Sequence, residues 1–178
     1  SYIFNIYLKN EYLKNQLHYA MNSIKKKLNR IDLDNLAKCD GEFLLMALEK
    51  TAYSAQRACP LEQHGWYPHT DEHDILLTAA ECLGNIRDRR AVPLLIELTN
   101  DTIGWRSGDF WLTFIKALGN IGDISAKESL EELMHAGPVS WGCATKSDAS
   151  HATYIVAEAL KKLGMTEEEL EEEFGYKY

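Results

Sequence analysis

The segment "LGNIRDRRAVPLL", Leu83 to Leu95, is followed thirty-five residues later by "LGNIGDISAKESL", Leu118 to Leu130. This period constrains the fold more than any other feature, because such a unit holds two helices and their turns but no core of its own. Each unit buries its apolar stripe only against its neighbours, so the pattern implies a stack. Leu160 in "VAEALKKLG" follows Leu118 by 42 residues, the extra length falling in one loop. Stepping back 35 from Leu83 reaches Leu48 in "LLMALEKT", which reads as a degenerate first copy.

The rest of the chain is helical by period or composition. Segments such as "DILLTAAECLGNI", "AVPLLIELTN", "DFWLTFIKALGNI" and "ASHATYIVAEALKKLG" space apolar residues by three and four and stop at Gly, Pro, Asn or Asp. The expectation is an all-α protein, a right-handed α-α superhelix of three to four repeats forming one domain over residues 1–178. Residues 1–40 form a non-repeat helical cap, and 41–174 hold the repeats and an acidic C-terminal cap. Thr166 and Glu169 have capping-box spacing, and the glutamates from Glu167 to Glu173 read as a solvated end face.

The repeated hinge has a structural reading. Gly84 and Gly119 lack a side chain and admit close packing of the next helix, while Ile86 and Ile121 are expected to plug the core. Asp88 and Asp123 stand where a carboxylate accepts backbone N–H groups of the following helix. Pro93 belongs in a first turn, which starts that helix nearer Arg90 than Asp88. Cys82 falls on an apolar stretch as a buried thiol, and Trp111 as a core-facing or half-buried ring.

"AAECLGNIRDRRAVPLLIELTND" and "FIKALGNIGDISAKESLEELMHAG" resemble the HEAT-like repeats of the phycobilin-lyase type, an Ala-rich helix ending in Leu-Gly-x-Ile-Gly-Asp followed by Ala-Val-Pro-x-Leu-Ile. The second copy departs with Lys127 and Glu128 where Val-Pro is usual. The resemblance spans Ile75 to Gly137, is weaker as far as Leu170, and does not reach Ser1 to Asp40. It implies a solenoid and leaves function open, since such repeats serve as binding scaffolds, chromophore lyase subunits, a di-iron hydroxylase and a DNA glycosylase group. It also implies that helices ending in Leu-Gly line the concave face. That would turn inward Glu42, Phe43, Met46 and Lys50; His73, Asp74, Leu77, Glu81 and Asn85; Asp109, Leu112, Lys116 and Asn120; and His151, Tyr154, Ile155, Glu158 and Lys162. A groove of mixed acids, aromatics and amides fits a protein surface better than a polyanion.

Charge and motif content narrow the function. The formal net charge of −8 repels phosphate backbones, and Lys25-Lys26-Lys27 with Arg30, or Arg89 with Arg90, read as solvated helix face and helix entry. No apolar run approaches the roughly 20 residues that span a bilayer, so no membrane contact is expected. Cys39, Cys59, Cys82 and Cys143 form no CxxC pair, which favours reduced thiols in the cytoplasm. The di-iron chemistry needs His-Glu dipeptides, and the chain has none: His73 precedes Asp74 and His151 precedes Ala152. Cys143, Asp148 and His151 share one insertion in which nothing fixes their geometry. His64, His69 and His73 with Asp71, Glu72 and Asp74 form the densest imidazole and carboxylate cluster, and they read as first-turn acids beside solvated histidines, with no metal or cofactor expected.

A tryptophan beside a glycine recurs in the enlarged turns entering three helices, at Trp66, Trp105 and Trp141. Corresponding loops of a solenoid share one edge, so these rings either lid helix ends or anchor a partner. The functional expectation is a monomeric, non-catalytic protein-binding scaffold or adaptor. A bacterial toxin-neutralising immunity protein is one form of it, with an acidic groove suited to a basic partner. The residues assigned to the partner are Trp66, Trp105, Trp141, His73, Asp74, Glu81, Asp109, Lys116, His151, Tyr154 and Glu158. The alternatives are a bilin lyase-type subunit acting on a phycobiliprotein, or a metal-dependent enzyme using the His64 to Asp74 loop.

Overall fold

The computed structural model describes residues 41–58, 70–101, 108–140 and 145–177. These residues form α1 (Gly41–Ala58), α2 (Thr70–Asn85), α3 (Val92–Asp101), α4 (Gly108–Ile121), α5 (Lys127–Ser140), α6 (Lys146–Lys162) and α7 (Glu167–Phe174). Short 3-10 turns, Arg89–Ala91 and Ile124–Ala126, lead into α3 and α5, and the described residues contain no strand. The fold is all-α, as the period required.

The repeat can be followed side chain by side chain. Leu76, Ala79, Ala80 and Leu83 are buried along α2 at the spacing of one helix face, and adding 35 gives Trp111, Phe114, Ile115 and Leu118, all buried along α4. The outer helices obey the same rule, with Ala91, Leu95, Leu98 and Thr99 becoming Ala126, Leu130, Leu133 and Met134. Buried Thr99 satisfies its hydroxyl by donating to the Leu95 carbonyl at 2.7 Å. Cys82 and Trp111 are buried as their positions implied.

The inner helices α2, α4 and α6 lie side by side, with α3 against α4 and α5 against α6. Two glycines set their approach. A Cβ added at Gly84 would stand 2.9 Å from the Cα of Ala117, and one added at Gly119 would stand 2.8 Å from the Cα of Ala159. The glycines therefore admit the inner helix of the following repeat, rather than the next helix in sequence. Both partners of each contact lie near helix C-termini, so α2, α4 and α6 run parallel. After Leu160 the glycine position is taken by Lys161, which instead pairs with Glu158 and with Glu167 at the start of α7.

The first copy differs from the sequence expectation. Gly41, which opens α1, lies against Ile86, Asp88 and Arg90, just beyond the end of α2. Because α1 packs along α2 from that point, it runs antiparallel to it. This is the direction of an outer helix, so Leu48 belongs to the outer layer and is not an earlier Leu83. Its 35-residue offset says nothing about direction. Glu42, Phe43, Met46 and Lys50 consequently do not extend the face of α2, α4 and α6.

The hinges close as their aspartates implied. Asp88 caps the first 3-10 turn by accepting from the Arg90 backbone N–H at 3.1 Å, and Asp123 caps the second by accepting from Ser125 N–H at 3.0 Å. Pro93 lies in the first turn of α3. Ile121 is buried at 4%, whereas Ile86 is 50% exposed and lies over Gly41 instead of plugging the core.

Helix α6 starts at Lys146, earlier than its apolar pattern suggested, because Thr145 and Asp148 form a capping box. The second capping box, Thr166 with Glu169, starts α7. Helix α5 runs past Ala136 through a kink at Gly137.

Candidate binding groove

Three residues leave the inner helices in the left-handed conformation: Arg87 at φ 57°, Gly122 at φ 71° and Gly164 at φ 97°. They occupy one register position, four residues after Leu83, Leu118 and Leu160. Glycine adopts this backbone without penalty, while a residue with a Cβ is strained there by about 1–2 kcal/mol. Arg87 is the exception in the series, and it lines a hollow.

That hollow, of about 650 Å³, lies where the C-terminal ends of α2, α4 and α6 meet, lined by Gly84, Asn85, Arg87, Arg89, Gly119, Asn120, Ile121, Gly122 and Lys162. A second hollow of about 260 Å³, lined by Lys116, Asn120, Tyr154, Ile155, Glu158, Ala159 and Lys162, shares Asn120 and Lys162 with it. The two form one groove along the inner layer. Lys116 and Asn120 are one turn apart on α4, and Tyr154, Glu158 and Lys162 follow each other by four on α6, so the groove face is the one opposite the buried stripe.

Hydrogen bonds order the floor. The Lys162 Nζ donates to Asn120 Oδ1 at 2.7 Å, tying α6 to α4 across 42 residues of sequence. Arg89 leans toward Asp123, with Nε 3.7 Å from Oδ2. Neither Arg87, Lys116 nor Lys162 meets a carboxylate among the described residues. Glu158 is engaged by Lys161 at 3.4 Å.

At the rim, Asp88 holds Arg90 in a fork, with Nε at 2.9 Å and Nη2 at 2.6 Å, and Arg90 reaches Glu42 on α1 through Nη1. The guanidinium of Arg90 holds the Asp88 carboxyl below the usual carboxylate range despite partial burial, and the two carboxylates push Arg90 upward. The Ser125 backbone and hydroxyl bonds lower Asp123 in the same way. These charges are committed to the scaffold.

The structure brings together Lys116, Tyr154 and Glu158 of the sequence-assigned residues. Asp74, Glu81 and His151 are exposed on α2 and α6 and line neither hollow. His73 and Asp109 fall within α2 and α4 by backbone position, and Trp66, Trp105 and Trp141 lie outside the described residues. Within the two hollows the lining is predominantly cationic, while Glu81, one 35-residue step before Lys116, is exposed on α2 outside them. The lining carries one carboxylate, Glu158, against Arg87, Arg89, Lys116 and Lys162, because the turns after the inner helices contribute cations that composition hides. Sequence reasoning missed Arg87 altogether. Its signal was an arginine 35 residues before Gly122, at the position where the repeat pattern has glycine.

Among the described residues no group of three His, Cys, Asp or Glu side chains could hold a metal ion. Residues His64 and His69 lie outside them, and Asp148 accepts from the Thr145 backbone N–H as a cap. No described helix is long and apolar enough to cross a membrane.

Parallel inner helices in glycine contact, outer helices behind them and a groove built from the same register of successive units define a helical-repeat scaffold. Residues 75–101 match the family model of the PBS lyase HEAT-like repeat. The match runs from within α2 through the first hinge to the end of α3. No curated protein and no solved structure matches the chain.

Proposed function

We propose that the protein is a non-catalytic scaffold that holds a partner protein in the groove of its inner layer. The observation that carries this reading is the groove itself: equivalent positions of successive helices contribute Lys116, Asn120, Tyr154, Glu158 and Lys162, none of them needed for the buried core. Tyr154 is 47% exposed there, an aromatic ring in a polar surround and the type of residue that anchors interfaces. Toxin neutralisation is one use of such a groove and a bilin lyase-type subunit acting on a phycobiliprotein is the alternative, and the identity of the partner decides between them.

The test replaces Tyr154 by a photo-crosslinking phenylalanine analogue in the source cells, with the same replacement at exposed Glu97 on α3 as control. A discrete adduct to one protein from position 154 and none from position 97 is the expected result. Equal labelling from both positions, or none from 154, overturns the reading.

A further inference from the structure

We infer that the groove is a docking site for a short acidic segment of the partner protein, with carboxylates over Arg87, Arg89 and Lys162 and an apolar side chain beside Tyr154. The inference rests on the scaffold reading and names the chemistry of the partner.

Helix ends explain only part of the charge. Each of the three C-termini at the hollow carries roughly half a negative charge, and one cation apiece is the usual complement. Lys162, on the last turn of α6, serves this way. Arg87 does not fit that account, because its position in the other two copies is filled by Gly122 and Gly164 at equally exposed helix ends. Helix closure is therefore complete without a cation there, and the arginine is held in a backbone conformation that glycine would adopt without strain. What it adds is an arginine in the lining of the hollow, with no carboxylate partner among the described residues. Guanidinium groups bind carboxylates through paired, charge-assisted hydrogen bonds. The amides of Asn85 and Asn120 add neutral donors beside it.

The same charges argue for a short segment over a long polyanion. The chain carries a net −8, and Asp74 and Glu81, the latter one 35-residue step before the groove residue Lys116, are exposed on α2. A nucleic-acid strand leaving the hollow would run against these acids, whereas a peptide a few residues long stays over the cations. The neighbouring hollow sets Tyr154 and Ile155 beside Lys116, which favours a segment that alternates acidic with apolar residues.

The test is fluorescence anisotropy on the full chain with a labelled peptide of about ten residues alternating glutamate and leucine with glycine, a length typical of extended recognition segments. Competitors are inorganic phosphate, a single-stranded oligonucleotide of equal length, and the peptide with lysine for glutamate. Arg87→Gly should weaken the acidic peptide by about tenfold or more, and Lys162→Gln by less, while Arg87→Gly melts no earlier than the parent. Binding should fall steeply between about 0.01 and 0.1 M salt, where the screening length shortens from about 30 to about 10 Å.

The inference is overturned if Arg87→Gly binds like the parent, if the lysine peptide binds as well as the glutamate one, or if phosphate or the oligonucleotide competes as strongly as unlabelled peptide. A groove-specific crosslinked partner whose captured segment is basic also overturns it and leaves the scaffold reading standing. Absence of any groove-specific adduct together with tight, Arg87-dependent peptide binding removes the scaffold reading in the source cell and leaves the acidic-segment site intact.

Discussion

Residues 83–95 and 118–130 trace the same path through the hinge, yet where the backbone turns left-handed one has Arg87 and the other Gly122, and at the next cap one has Asp88 clamped by Arg90 while the other has Asp123 bonded to Ser125. The shared part, Leu-Gly-Asn-Ile and the aspartate, is what the packing needs. The differing part lies at the groove and its rim, where α1 and a partner make their own demands. Within one chain, the two copies thus separate what the stack requires from what the site adds.

The largest effect should come from the shared glycines. Gly119→Val should cost about 3 kcal/mol and Gly84→Val about 2, as overpacking of a close helix contact does. Gly119 suffers more because an added Cβ meets both Cα and Cβ of Ala159 within 2.9 Å, whereas at Gly84 the Ala117 Cβ is 3.2 Å away. Urea unfolding of both variants checks the order, and a reversed order would mean that the first junction, not the second, is the tighter seam.

A smaller, opposite pair comes from the left-handed position. Gly122→Arg should destabilise by about 1 kcal/mol and Arg87→Gly should stabilise by up to about 1, since each exchange adds or removes the strain of a Cβ at positive φ. Thermal melts decide it. Loss of stability in Arg87→Gly would show that Arg87 supports the fold and would blur the line between hinge and groove.

The smallest effect concerns the caps and acid. Both aspartates have folded pKa values below the ordinary carboxylate value, so the stability they confer is fully present above about pH 4 and is lost as the pH falls through the folded values. Asp88→Asn and Asp123→Asn should each flatten that acid loss, Asp88→Asn the more. Its side chain is 11% exposed and gripped by a guanidinium, against 22% for Asp123. At neutral pH either change should lower the melting temperature only slightly, because asparagine still caps and the lost ion pairs are largely solvated. Melting temperature against pH from about 2 to 7 measures both.

Much of this stack was legible in the sequence because its rule is local and repeated. Leu83 and Leu118, Gly84 and Gly119, and Asp88 and Asp123 each carry one requirement of burial, approach or capping, and a 35-residue step reproduces all of them. The direction of α1 was not legible. Leu48 satisfies the spacing, but what fixes the helix is Gly41 against Asp88 and Arg90, a contact over more than forty residues that no local pattern encodes. The groove was half legible. Lys116, Tyr154 and Glu158 follow from helical register, whereas its charge depends on Arg87 and Arg89, turn residues brought beside Lys162 only by the stacking of three helices.

Lys161 has a consequence for how such an array changes length. At the two internal seams the residue after the leucine is glycine, and a further parallel inner helix can close to backbone contact. At Lys161 a long side chain occupies that place, engaged with Glu158 and Glu167, so a further inner helix could not close on α6 to the backbone contact seen at the glycines. The stack therefore has a polarity of growth. A duplicated 35-residue unit can be accommodated by insertion between α2 and α4 or between α4 and α6, each new seam bringing its own glycine and alanine. Extension beyond α6 with the same close contact requires first rewriting one lysine, and any register of longer relatives should show the added units inside the array, with a bulky residue after the last leucine.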